Sequence, residues 1–235
     1  MTKQFWDKEY KNPEHLTLSE EPSSDMLSFI KWVQRNAEWP AFNQGGMVLD
    51  IGCGNGRNIG NLCQEFKMKG IGLDLSRSAI DAAKNKFKGI KFIEGNIKNV
   101  QDMDILKELE PESLDIVLDM MVIHFLNKKE RSKYINFLAS KMKPFSWMFL
   151  KTFILEGDSN AHRMIKDYPT VDKEENSYIH PKFKVLEHVF TDEELIQLFD
   201  PYFKIHKLIK SHKHIKDGRP FKRRTVSLYL ERKRD

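Results

Sequence analysis

VLDIGCGNG, running from Val48 to Gly56, is an apolar stretch that breaks into alternating glycines, and its reading decides the fold. With Met47 ahead of it, MVLDIG has the character of a buried strand, and Asn58 to Phe66 places Ile59, Leu62, Cys63 and Phe66 on one face of a helix. Gly52, Gly54 and Gly56 fall between the two. Glycines at such a junction permit a tight turn and let the backbone approach a ligand without Cβ atoms in the way, while the following helix offers free N–H groups. Asp50 stands at the end of the strand, and Asp74, 24 residues further on, ends the next apolar run, GIGLDLS. An acid at that place is positioned to accept hydrogen bonds from two ribose hydroxyls. Strand, glycine loop, helix and second acid together point to a ligand that contains a nucleoside.

Working outward, the alternation continues. Ala79 to Lys88 reads as a helix, IKFIEGNI as a strand, Ile105 to Glu110 as a short helix and LDIVLDMMVI as a long apolar strand. Lys129 to Met142 follows as a helix with Tyr134, Ile135, Leu138 and Met142 inward, then WMFLKTF as a further strand. Regular alternation of this kind predicts parallel βαβ units with helices on both faces of a doubly wound sheet. After Phe153 the rhythm stops: residues 155 to 190 read as an inserted cover before FTDEELIQLF restarts a helix capped by Thr191 or Asp192. YFKIHKLIKSHKHIK and RRTVSLYLERK then form two β-like runs around KDGRPF, a terminal antiparallel hairpin with Asp217, Gly218 and Pro220 as turn formers. One domain over residues 1–235 is expected, with 1–40 as an N-terminal cap segment that includes a helix from Ser23, Ser24 or Asp25 to Asn36.

The loop pattern bears on the cofactor. A dinucleotide fingerprint brings a helix N-terminus to a pyrophosphate; here an acid precedes the glycines, and a carboxylate beside the loop would repel a pyrophosphate but could pair with an ammonium group. S-adenosylmethionine has an amino acid end, a sulfonium and no phosphate, so the electrostatics favour it. Asp50 to Gly56, Asp74, the EGNI run and LDIVLDMMVIH together resemble the ordered motifs of class I S-adenosylmethionine-dependent methyltransferases, over about residues 46 to 153. The resemblance implies a Rossmann-like, seven-stranded, mostly parallel sheet whose last strand is antiparallel. It implies that Gly52 and Gly54 line the methionine portion, Asp74 holds the ribose and Leu75 packs on the adenine. Asn96 and Ile97 would lie at the adenine edge, and Met120 near the ribose and methionine. FWDKEY is similar to the aromatic segment that caps the cofactor in many small-molecule members, which brings in Trp6 and Tyr10. Two positions depart from the pattern: Asn96 stands where Asp is common, and Phe145, Ser146 and Trp147 replace a glycine-rich turn after Lys143-Pro144.

The acceptor is read from the end of the fourth strand. Asp119 and His124 are the catalytic candidates, His124 as a general base for a phenol, amine or thiol. The run Asp119-Met120-Met121-Val122 lacks the prolines and aromatic that accompany base or amide nitrogen methylation in the family. Carbon methylation of pyrimidines needs a cysteine nucleophile, and Cys53 and Cys63 lie in the loop and first helix. A small-molecule acceptor is therefore the leading expectation.

Charge supplies the competing one. The chain has 235 residues with 39 Lys and Arg against 34 Asp and Glu, a net +5. Residues 201–235 hold 12 of those cations against 3 acids, leaving 27 against 31 in the first 200. A basic terminal hairpin could engage phosphates, which keeps RNA or protein methylation, or a non-catalytic nucleic-acid-binding protein, as the alternatives. His212 and His214 make too small a set for a metal site, so no metal is expected. Two cysteines fit a reducing compartment. The polar N-terminus and the absence of any long apolar run lead to the expectation of a cytoplasmic protein without membrane contact.

Overall fold

β1 (Met47–Ile51) lies at the centre of the molecule because it is apolar toward both sheet faces, as a strand covered on two sides must be. The computed structural model describes residues 2–14, 18–98, 106, 109–211, 215–216, 219–220 and 223–234. Two helices, α1 (Thr2–Lys11) and α2 (Ser24–Asn36), precede β1, and α3 (Arg57–Phe66), β2 (Lys69–Asp74), α4 (Arg77–Lys86) and β3 (Lys91–Glu94) follow it. β4 (Leu114–Met120) leads through a single 3-10 turn (Ile123–Phe125) to α5 (Lys128–Lys141) and β5 (Met142–Phe153). Next come α6 (Ser159–Asp167), the pair β6 (Ser177–Ile179) and β7 (Leu186–His188), and α7 (Asp192–Phe199). β8 (Phe203–Lys210), the short β9 (Ile215–Lys216) and β10 (Arg219–Pro220), and β11 (Thr225–Arg232) complete the chain.

Seven strands form the main sheet in the order β3-β2-β1-β4-β5-β11-β8. Pairs from β3 to β5 are parallel, whereas β11 is antiparallel to both β5 and β8. The expected doubly wound, mostly parallel sheet with an antiparallel terminal strand is thus present. Alternate residues divide between two cores: Val48, Ile116, Leu118, Trp147 and Phe149 pack with α2, α3 and α4, while Leu49, Ile51, Val117, Met148 and Leu150 pack with α5 and α7. The chain winds from β1 outward to β3 and, after crossing back, from β4 toward β5. That reversal opens a crevice beyond the C-terminal ends of β1 and β4.

Several local expectations are corrected. β4 stops at Met120 rather than Ile123, because Met121 adopts a left-handed backbone (φ 66°). The Asp119 carboxylate accepts from the N–H groups of Val122 (3.2 Å) and Ile123 (3.3 Å), which fixes the turn. The glycine-free turn after Pro144 is made by Phe145 at φ 65°, with a shift in the β4–β5 register beside it. Residues 155–190, expected as an inserted cover, hold α6 and the β6–β7 pair. Of the 1–40 segment, α2 belongs to the core, burying Met26, Phe29, Ile30 and Val33, and among its described residues Trp6 and Tyr10 of α1 with Leu18, Ser19 and Ser23 reach the crevice. The Ile105–Glu110 helix falls largely outside the described residues, as do Asp217, Gly218, His212 and His214. Among the described residues no helix is long and apolar enough to cross a membrane.

Asp119 is fully buried, and its second oxygen accepts from the Tyr134 hydroxyl at 2.8 Å. Replacing Tyr134 with Phe strands that oxygen, so Tyr134→Phe is expected to cost about 1–3 kcal/mol. Urea unfolding measures it, and an unchanged midpoint would show that the bond contributes nothing.

Candidate functional site

The floor of the crevice is the glycine loop. Gly52 (φ 70°) and Gly54 (φ 55°) both need the left-handed region, and both are closely approached. A Cβ on Gly52 would lie 2.2 Å from a Val122 methyl, and one on Gly54 would lie 2.2 Å from the Tyr10 hydroxyl. The loop is tied to the end of β2: the N–H groups of Gly52 and Cys53 donate to the Leu73 carbonyl at 2.7 and 2.9 Å. Asp74 completes the tie. Its carboxylate accepts from the Gly54 N–H and from the Ser76 N–H, both at 2.8 Å.

A cavity of about 670 Å³ opens above this loop, within the range of small-molecule sites. Gly52, Gly54, Asp74, Leu75, Asn96, Ile97 and Met120 all line it, each from the end of a parallel strand or the loop after it. Trp6 and Tyr10 line it from α1. That helix is docked by Asp7, which accepts from the Ser76 hydroxyl (2.8 Å) and the Ser78 N–H (3.0 Å) at the start of α4. Burial pushes the Asp7 carboxyl up, yet the bonds from Ser78 and Ser76 outweigh it and hold the group below the usual carboxylate range. Lys3 adds an ion pair with Glu94.

Three acids or bases expected at the site lie elsewhere. Asp50 is 1% exposed and sits behind the loop, with the Ile59 N–H of α3 acting to lower its pKa. Its buried Oδ2 has no hydrogen-bond partner among the described residues, and burial, with the nearby Asp74 carboxylate, pushes its pKa up to about 8. Asp119 faces the core beneath α5, and burial pushes it up to about 7 against the bonds from Tyr134 and the turn. His124 is 1% exposed and turned away from the cavity, its ring against Phe125 and Phe153 at 4.1 and 4.7 Å. Burial, with Arg223 and His188 close by, lowers its pKa to about 3. Neither Asp119 nor His124 lines the cavity, so the structure does not bring the two catalytic candidates to a bound acceptor.

Other lining residues carried no signal in the sequence. Lys151 comes from the end of β5, in register with Met120, and pairs with Asp25 of α2. Lys184, Val185 and Leu186 reach the cavity from the turn into β7. Asn58 accepts from the Ser23 N–H (2.9 Å) and donates to the Met120 sulfur (3.2 Å), joining α2 to the end of β4. Ser177, His188 and Glu194 form a chain of contacts at 2.7 and 2.8 Å, but Ser177 and His188 are buried and line no part of this cavity. That set anchors the inserted segment.

Comparison with known proteins accords with this geometry. Residues 48–144 match the family model of the methyltransferase domain. A tRNA U34 carboxymethyltransferase of Pseudoalteromonas translucida is 31% identical over 123 residues, 50% of this chain and 35% of that protein. An indolepyruvate C-methyltransferase of Streptomyces griseus is 33% identical over 86 residues, 36% of this chain and 26% of that protein. The chain thus spans about a third of the length of the curated relatives that it matches first. Among solved structures, an S-adenosylmethionine-dependent methyltransferase from Anabaena variabilis superposes with a TM-score of 0.65 at 18% identity, covering 98% of this chain and 93% of that one. One from Methanosarcina mazei gives 0.64 at 20% identity, covering 86% and 98%. The fold is that of these S-adenosylmethionine-dependent methyltransferases of known structure, and residues 48–144 match the methyltransferase-domain model.

The buried Asp50 generates a pH test. In the unfolded chain it ionises near its ordinary value of 3.8, whereas in the fold it keeps its proton to about 8. The folded state therefore binds the extra proton between those values, and stability contributed by Asp50 falls as pH rises through that window. Asp50→Asn removes the slope: the variant should gain on the wild type between about pH 5 and about pH 8, by on the order of a few kcal/mol. Urea unfolding at several pH values reads it, and parallel profiles would refute the assignment.

Proposed function

We propose that this chain, built on a methyltransferase domain, binds S-adenosylmethionine in the cavity above the glycine loop and transfers its methyl group to a small molecule. The Asp74 carboxylate carries this reading: it stands at the cavity wall, fixed by two backbone N–H groups, with a Cβ-free loop beside it. Those two bonds leave lone pairs on its oxygens for the ribose hydroxyls. Leu75 and Ile97 offer apolar surface for the adenine, and the Asn96 carboxamide offers an acceptor to its amino group. Gly52 and Gly54 would let the amino acid end lie against the backbone, and Trp6 and Tyr10 would cover it.

When bound, the cofactor supplies an electrophilic methyl on a sulfonium that departs as a neutral thioether. The chain's contribution is then alignment and exclusion of water. Trp6 and Phe125, in edge-to-face contact at 5.8 Å, wall one side of the cavity with apolar surface. Asp74 is the one carboxylate among the described lining residues, and no histidine is among them. Proton removal by a histidine or by a carboxylate other than Asp74 is therefore not on offer among the described lining residues, which favours acceptors that arrive deprotonated or lose the proton to water.

A second reading has its own support: the relatives named tRNA U34 carboxymethyltransferases favour an RNA acceptor. The basic tail lends it less than its charge count suggests. Arg223 donates to Asp158 (2.8 Å) and Tyr178, and Arg224 to the carbonyls of Glu156 and Ser211 (both 2.8 Å), so neither is a free phosphate ligand.

Calorimetric titration should show binding of S-adenosylmethionine and its product S-adenosylhomocysteine, weakened roughly 10- to 100-fold in a folded Asp74→Ala variant, the loss of hydrogen bonds to a charged group. No heat from the folded wild type would overturn both readings. With methyl-labelled cofactor and a cell extract, label is expected in the small-molecule fraction. Label confined to RNA would replace the first reading with the second. Because His124 faces the core, His124→Gln should leave cofactor affinity and turnover within the same order of magnitude; a collapse of turnover alone would restore its role as a base.

A further inference from the structure

We infer that the acceptor is a small carboxylate with a flat apolar body, its charge met by Lys184 of the inserted segment together with Lys151 of β5. This deepens the cofactor reading and rests on it. Among the described residues the cavity wall carries a single acid, Asp74, which the ribose would occupy, against four cations, Arg57, Lys98, Lys151 and Lys184. Two of these are engaged at the loop and adenine sides: Arg57 donates to the Glu21 carbonyl at 2.8 Å, and Lys98 pairs with Glu130 at 3.1 Å. The other two come from the remaining walls. Lys151 lies near the end of β5 beside Met120, where the methyl donor would point, and pairs with one acid, Asp25.

Lys184 stands at the turn between β6 and β7, with its backbone N–H fixed on the His180 carbonyl at 2.8 Å. Its side chain takes no ion pair among the described residues, so a charge is held at the cavity with no protein counter-charge assigned to it. Val185 and Leu186 follow it along the same wall, and Trp6 and Phe125 complete an apolar slot. An apolar slot with excess positive charge at its rim is complementary to a planar anion. A cationic acceptor would be repelled by both lysines, whereas an anionic one would be drawn to them.

The test uses the full chain saturated with S-adenosylhomocysteine and two probes of the same shape, indole-3-acetate and indole-3-acetamide. Calorimetry should show the acid binding about tenfold more tightly than the amide, the size expected of a charge-assisted hydrogen bond. Lys184→Met, at an exposed turn, should remove most of that preference while S-adenosylhomocysteine binds as before, and Lys184→Arg should retain it. Equal binding of acid and amide, no binding of either to the loaded protein, or a preference untouched by Lys184→Met would overturn the proposal. Failure of S-adenosylhomocysteine itself to bind is a separate result that removes the cofactor reading instead. A short oligouridylate that binds in place of the acid with steep salt dependence would overturn it too, by making a phosphate backbone the anion.

Discussion

The bonds from the Gly54 and Ser76 N–H groups to Asp74 hold the site in shape. Burial pushes the Asp74 carboxyl up, and the backbone bonds it accepts work against that. The same carboxylate fixes the glycine loop on one side and the β2–α4 turn on the other. Ser76, once placed by that turn, donates its hydroxyl to Asp7 and so positions α1. The Tyr10 hydroxyl then settles over Gly54 in space that a Cβ would fill. Loop, turn and covering helix are therefore one arrangement held by two carboxylates, Asp74 and Asp7, the first of which is also the group that a ribose would meet.

Charges internal to the fold play a comparable part on the far side. Arg131 of α5 reaches Glu174 (2.8 Å) and Glu194 (3.4 Å), and His188 bridges Ser177 and Glu194. Arg223, with its guanidinium over the Phe153 ring at 4.3 Å, ties β11 to Asp158 and Tyr178. Removing one member of such a buried pair leaves an uncompensated charge, so these contacts specify where the inserted segment must lie more than they add to stability. They also set the position of the turn that delivers Lys184, Val185 and Leu186 to the cavity. The basic excess of the tail is, at Arg223 and Arg224, an internal fastening rather than a surface.

Much of this was legible in the chain. Alternation of Val48 and Leu49, or of Trp147 and Met148, between the two cores is a period-2 pattern, and the glycine spacing with Asp74 marked the loop and its partner. Nine of the twelve site residues expected from sequence meet at one cavity. Asp50, Asp119 and His124 do not, for a shared reason. Each lies within a few residues of a strand end, and which way a side chain turns there depends on contacts made by distant segments. Val122 is pressed against Gly52, Asp119 receives the Tyr134 hydroxyl, and His124 is enclosed by Phe153 and Arg223.

Sequence by itself determined the class of sheet, the loop, the acid at the end of β2 and the cofactor those residues favour, because each depends on local periodicity or on a short fixed spacing. Only the tertiary structure decided which acids are buried away from the cavity, that β11 lies between β5 and β8, and that Lys151 and Lys184 line one cavity. Those facts come from segments far apart in the chain, brought together by packing and by buried ion pairs, and no local pattern encodes them.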